Sequence, residues 1–117
     1  MSAQPSQTPA RNEVPASQSV RLIELVNYQE GAVVSRTLLK RPTGTVTVFA
    51  FDAEQALSEH TSPFDALLQV LEGKAEISIA GKPLSASAGQ CVLLPANQPH
   101  AVKATTPLKM LLTMIRS

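Results

Sequence analysis

From residue 19 onward, apolar and polar positions alternate in short runs of the kind that pleated strands require. VRLIELV (Val20 to Val26), AVVSRTLLK (Ala32 to Lys40) and GTVTVFAF (Gly44 to Phe51) are rich in β-branched residues and bounded by Gly, Pro or Asn. In the third run Val46, Val48 and Ala50 alternate with Thr45, Thr47, Phe49 and Phe51, a period of two. Further strands are predicted over ALLQVL (Ala66 to Leu71), AEISIAG up to Gly81, CVLLP (Cys91 to Pro95) and LKMLLTMI (Leu108 to Ile115). No window carries a clear helical stripe apart from the ambiguous DAEQALSEH, Asp52 to His60. Seven or more short strands with turn residues between them predict an all-β antiparallel sandwich or barrel.

Two strands lack a polar face. ALLQVL and MLLTMI each contain one polar residue in six, whereas a strand wetted on one side alternates. Either both faces are buried within one sandwich, or the outer face packs on a second copy of the chain. The second reading predicts a homodimer.

Residues 1–18 differ in composition from the rest of the chain. MSAQPSQTPARNEVPASQ is rich in Pro, Ser and Gln and poor in large apolar residues, a composition that cannot offset its own ordering entropy. The expected organisation is a disordered tail over 1–18 and a single barrel domain over 19–117. The tail lacks the apolar core of a secretory signal, and no run approaches the roughly 20 apolar residues of a membrane span. Ten basic and nine acidic residues leave a net charge of +1. They are dispersed, and aromatic residues make up 3% of the chain with no Trp, which argues against nucleic-acid binding. The single cysteine, Cys91, excludes an internal disulfide and suits a reducing cytoplasm. Its parity, opposite to Val92 and Leu94, reads as a small buried hydrophobe, in the core or in a dimer interface.

Two segments carry a family resemblance. GQCVLLPANQPHAVKA places Gly89, Pro95 and His100 at the spacings of the second cupin motif, with Asn97 at its second glycine and Ala104 at its final asparagine. Asn tolerates positive φ better than most residues, so the turn can survive that exchange. Counting back from Gly73, the first cupin motif puts His60 at its first histidine, Ser62 at the second, Ala66 at the glutamate and Glu54 at the opening glycine. The chain thus resembles a small single-domain cupin, which implies a double-stranded β-helix, or jelly-roll barrel.

In metal-binding cupins the ligand positions of both motifs converge inside the barrel. Carried over residue by residue, His60 and His100 remain as candidate metal ligands, and Ser62, Leu68, Val70 and Met110 join them as candidate ligand-binding residues. Val92 and Leu94 share the inward parity. Two imidazoles without a carboxylate can hold a divalent metal (Zn, Ni, Fe, Mn or Cu) only weakly. Asp65 and Glu59 have the wrong parity for the gap. Met110 and Met114 share one face of the last strand and either fill the core or present thioethers to a soft ion. Two functions stay open: a small-molecule-binding cupin that holds a metal, or a metal-free sensor or interaction module without catalysis. The relatives' reactions, among them oxygenation, isomerisation and decarboxylation, are too diverse to assign one here.

Overall fold

The computed structural model describes residues 13–116. Nine strands form in chain order: β1 Val33–Arg41, β2 Gly44–Phe51, β3 Ala56–His60, β4 Asp65–Glu72, β5 Lys74–Ile79, β6 Lys82–Ser87, β7 Cys91–Leu94, β8 His100–Lys103 and β9 Leu108–Ile115. All pairings are antiparallel. They build two sheets, ordered β1-β2-β9-β4-β7 and β3-β8-β5-β6, which face each other as a jelly roll. Among the described residues no helix is long and apolar enough to cross a membrane.

The period of two decides which side chains enter the core. On β4 Ala66, Leu68 and Val70 point between the sheets, and on β9 Leu108, Met110, Leu112 and Met114 do the same. Phe49 and Phe51 of β2, Ala75 and Ile77 of β5 and Leu94 of β7 complete this interior. Each large side chain buried there contributes on the order of 1.5–3 kcal/mol.

The alternate set on β2 faces outward, yet it is also covered. Val48, Ala50, Leu38 and Leu111 form a second cluster with Val26, against which Val14, Leu25 and Tyr28 pack. The N-terminal segment therefore lies across the outer face of the five-stranded sheet as a strap. Lys109 fastens it: its Nζ donates to the Ile23 carbonyl and lies 5.1 Å from the centre of the Tyr28 ring. The Tyr28 hydroxyl donates to the Glu72 carboxylate. Desolvation first, and then this bond to Glu72, push the Tyr28 pKa up.

Three sequence expectations change here. VRLIELV is not a strand but an irregular covering segment with a 3-10 turn at Leu22–Glu24. Only Leu25 and Val26 of this run pack on the sheet face, whereas Val20, Leu22 and Ile23 are exposed. The ambiguous DAEQALSEH contributes β3, and β6 and β8 are strands that the pattern did not single out. β3 and β6 are the edges of their sheet, and an edge tolerates the Pro83 within β6. Cys91 is exposed in the single chain, not buried in its core. It stands on edge strand β7, whose Val92 and Leu94 take the interior and leave Cys91 and Leu93 outside.

Most of the tail expected over 1–18 lies outside the described residues. Within its remainder, the Val14 N–H donates to the Leu38 carbonyl at 3.2 Å. The Glu13 carboxylate accepts from the Lys40 N–H at 2.9 Å and lies 3.5 Å from Arg41.

Candidate functional site

The two histidines meet where β3 pairs with β8. His60 and His100 are register partners, and their rings stand edge to face with centroids 4.5 Å apart. A bulge makes this possible. Leu57 opposes Val102 and His60 opposes His100, so three steps along β3 match two along β8. Leu57 and Val102 face the interior. On a regular strand His60 would then point outward, and the extra residue turns it to the His100 side.

Each ring is oriented by its own backbone. His60 Nδ1 lies 2.8 Å from the Ser58 carbonyl, and His100 Nδ1 lies 3.2 Å from the Gln98 carbonyl. A carbonyl can only accept, so each Nδ1 carries the hydrogen and each neutral ring keeps its Nε2 lone pair free. The environments differ. His100 is 6% exposed, whereas His60 is open to solvent. Burial is the main cause that lowers the His100 pKa, and the neighbouring His60 adds to it, while the bond to Gln98 opposes both. His100 is thereby favoured as a neutral base.

The loops beside the pair come from the two motif segments. Asn97 adopts φ +65°, the left-handed conformation of the glycine it replaces, and its N–H donates to the Ser62 carbonyl at 2.7 Å. Glu54, at the opening glycine position, also holds a left-handed φ of +70°. Its N–H donates to the Ala104 carbonyl at 2.7 Å, and the Ala104 N–H donates to Gln55. The backbone conformations of both motifs persist at positions whose side chains have changed.

The remaining candidates separate. Ser62 belongs at this end, but its hydroxyl oxygen accepts from the Phe64 N–H at 3.1 Å. Asp65 accepts from the Ala96 N–H at 2.9 Å and ties the two loops together, and Glu59 is exposed. Ala66 is buried where the family places a glutamate. Leu68, Val70 and Met110 are all core residues. Val70 and its partner Met110 lie four residues along β4 from Ala66, a rise of roughly 13 Å. Met110 thus fills the core, and Met114, opposite Ala66, packs against the same cluster. Sequence reasoning did not find Arg116, whose guanidinium stands 5.9 Å from the Phe64 ring centre. An arginine after a strand carries no signal of that contact.

As a metal centre, the set amounts to two Nε2 donors without a carboxylate. Among the described residues no group of three or more His, Cys, Asp or Glu gathers that could hold an ion. Such a set does not fit a tightly bound resident ion, which takes three or four protein ligands. It fits an ion whose coordination is completed by water or by a bound molecule, or a ligand that offers hydrogen-bond donors to both rings.

Comparison with known proteins agrees with this frame. Residues 47–115 match the cupin domain family. A conserved protein of unknown function from Streptococcus pyogenes is 32% identical, with 95% of this chain and 97% of that one covered at a TM-score of 0.87. A cupin 2 conserved barrel domain protein from Leptotrichia buccalis is 40% identical over 80% of this chain and 46% of that one, with a TM-score of 0.78. A cupin superfamily protein from Desulfitobacterium hafniense, 23% identical, shares the fold over 94% of this chain and all of its own, with a TM-score of 0.84. A search of the curated proteins returns no match.

Proposed function

The chain belongs to the cupin family, and from that premise we propose that it binds a small molecule at the end of the barrel where His60 and His100 meet. The observation that carries this reading is the pair of free Nε2 atoms, each fixed by an Nδ1 contact to a backbone carbonyl. A bulge that turns His60 toward His100 has no use in packing an exposed ring. Two acceptors side by side suit a ligand with two donor groups, or a weakly held divalent ion such as Zn, Ni, Fe, Mn or Cu that the ligand itself helps to coordinate. Such an ion would act as a Lewis acid on the bound molecule. The protein's part is to orient the two rings and to hold His100 neutral.

A metal-free reading is favoured by the missing carboxylate, since Ala66 is buried where the family places a glutamate. In it the paired rings accept hydrogen bonds from the ligand, and His100 is placed to take a proton.

Imidazole nitrogen resonances of the intact protein distinguish the outcomes. Titration with zinc, and separately with small carboxylates, sugars and phenolics, is expected to shift both Nε2 signals and neither Nδ1. His60→Ala should weaken the response of the His100 Nε2 to the same probe. Rings that titrate independently and respond to none of these probes would overturn the proposal.

A further inference from the structure

The end of the barrel that carries the histidines also carries a thioether. Met114 stands opposite Ala66, where the family has its glutamate, and Leu94 flanks Ala66 on the other side. Met114 lies on the inward face of β9 and packs on the same interior cluster as Ile79, the register partner of His100. It is only partly buried, whereas Met110, deeper in the barrel, is 1% exposed. Two short loops tie these positions together: residues 61–64 join His60 to β4, and residues 95–99 join Leu94 to His100. The loops are bonded to each other, Asn97 N–H to the Ser62 carbonyl and Ala96 N–H to Asp65 at the start of β4. Facing sheets lie about 10 Å apart. An imidazole from one side and an unbranched methionine from the other can close that gap.

We propose that His60, His100 and Met114 form a site selective for a soft monovalent ion, Cu(I), over the divalent metals. The inference rests on the reading of the paired histidines as the binding site. Three features of the set point to it. The first is charge. Two neutral imidazoles and a thioether carry none, Asp65 is engaged by the Ala96 N–H, and Glu59 is exposed. A dication beside apolar Ala66 and Leu94 would keep its charge uncompensated, and that cost rises steeply with charge. The second is donor type, because thioethers favour Cu(I), whereas carboxylates and water favour harder ions. The third is number. Cu(I) accepts linear or trigonal coordination, whereas a zinc site takes three or four protein ligands. Both rings are already oriented for this role, with Nδ1 held by a backbone carbonyl and Nε2 free.

The test uses the full-length chain with Cys91→Ser, which removes the exposed thiol as a rival soft donor. Under anaerobic reducing conditions, competition with bicinchoninate should show one Cu(I) per chain, held more tightly than zinc. At the copper K-edge the first shell should contain nitrogen and one sulfur. Met114→Leu nearly conserves volume and should leave the fold and the zinc response intact. It should remove the sulfur and weaken Cu(I) by more than the roughly tenfold that a lost outer-shell partner costs. Met110→Leu should do neither. A shell of nitrogen alone, a Cu(I) affinity indifferent to Met114→Leu, or zinc held more tightly than Cu(I) would overturn the proposal and leave the paired histidines as the site. Copper that shifts neither Nε2 resonance overturns it as well. The histidine reading falls with it only if zinc, carboxylates, sugars and phenolics are equally silent.

Discussion

The two strands that deliver the histidines reach the same point by unequal means. His100 opens β8 after a loop that keeps Pro95 at its family position and holds Asn97 in the left-handed conformation of a motif glycine, and it is buried. His60 ends an irregular edge strand, is solvent-exposed and faces His100 only because of a bulge. The second motif keeps Gly89, Pro95 and its histidine, while the first keeps its backbone, Gly73 and one of its three ligands, His60. Glu54 and Asn97 show that what persists is conformation: both hold left-handed φ values at glycine positions. Barrel geometry and ligand chemistry are therefore separable in this chain.

The largest test of that separation is at Gly73, the anchor of the first motif. Its φ is +84°, and a Cβ there would stand 2.1 Å from the Pro107 carbonyl oxygen, a backbone atom with no easy retreat. Gly73→Ala is expected to lower stability by at least ~3 kcal/mol, or to prevent folding, in a urea titration. A loss below about 1 kcal/mol would show that the anchor is dispensable.

Restoring the lost ligands attacks the comparison from the other side. Ser62→His with Ala66→Glu should create a four-ligand centre. In chelator, the buried carboxylate should cost on the order of 2–3 kcal/mol. Zinc should restore the melting temperature and bind at one ion per chain by metal analysis. If the barrel at this end has lost the ligand geometry as well as the ligands, zinc will not rescue the variant.

Removing the rings should expose their inequality. His100→Ala is expected to cost about 2 kcal/mol, through a lost buried side chain and hydrogen bond. His60→Ala should change stability by under about 0.5 kcal/mol, because its ring is exposed. Equal losses in chemical denaturation would refute the asymmetry.

The pH dependence follows from the sign of the His100 shift. Its pKa is lower in the folded protein than in the unfolded chain. Below the ordinary histidine value the unfolded chain therefore binds the proton first, and stability falls as pH drops from that value to the folded one. Above it the contribution is constant. His100→Gln should flatten this segment of a stability–pH curve, and His60→Gln should leave most of it.

The smallest effect is expected at Glu54. Glu54→Gly relieves the left-handed strain but adds freedom to the unfolded chain and removes an exposed pair with Lys103 at 3.7 Å. The net gain should be about 0.5 kcal/mol. Destabilisation would mean that the Lys103 contact outweighs the strain.

How much could be read beforehand depended on the range of the interaction involved. Pro95, Asn97 and His100 were legible because a tight turn imposes its residues at fixed offsets. The inward set of β4 was legible because alternation has a period of two. β3, β6 and β8 were not singled out, because short strands of Ala, Ser, Lys and Glu gain their structure from neighbours, not from propensity. Val20 to Val26 misled for the opposite reason: it has the composition of a strand, yet only Leu25 and Val26 are held against the sheet and the rest of the run pairs with no strand. Cys91 misled because parity alone does not tell which side of an edge strand is covered.

Local chain chemistry thus settled the all-β class, the jelly-roll family, the turn positions and the two histidines that stand at family ligand positions. Assembly settled the rest. The bulge between Leu57 and His60 is a one-residue choice of register made against β8, and it determines whether the histidines face each other. The burial of His100 beside an exposed His60 arises from the unequal cover of an inner and an edge strand. The strap over Leu111 exists only once distant strands are neighbours. Such features are set by contacts between residues far apart in the chain, and no local pattern encodes them.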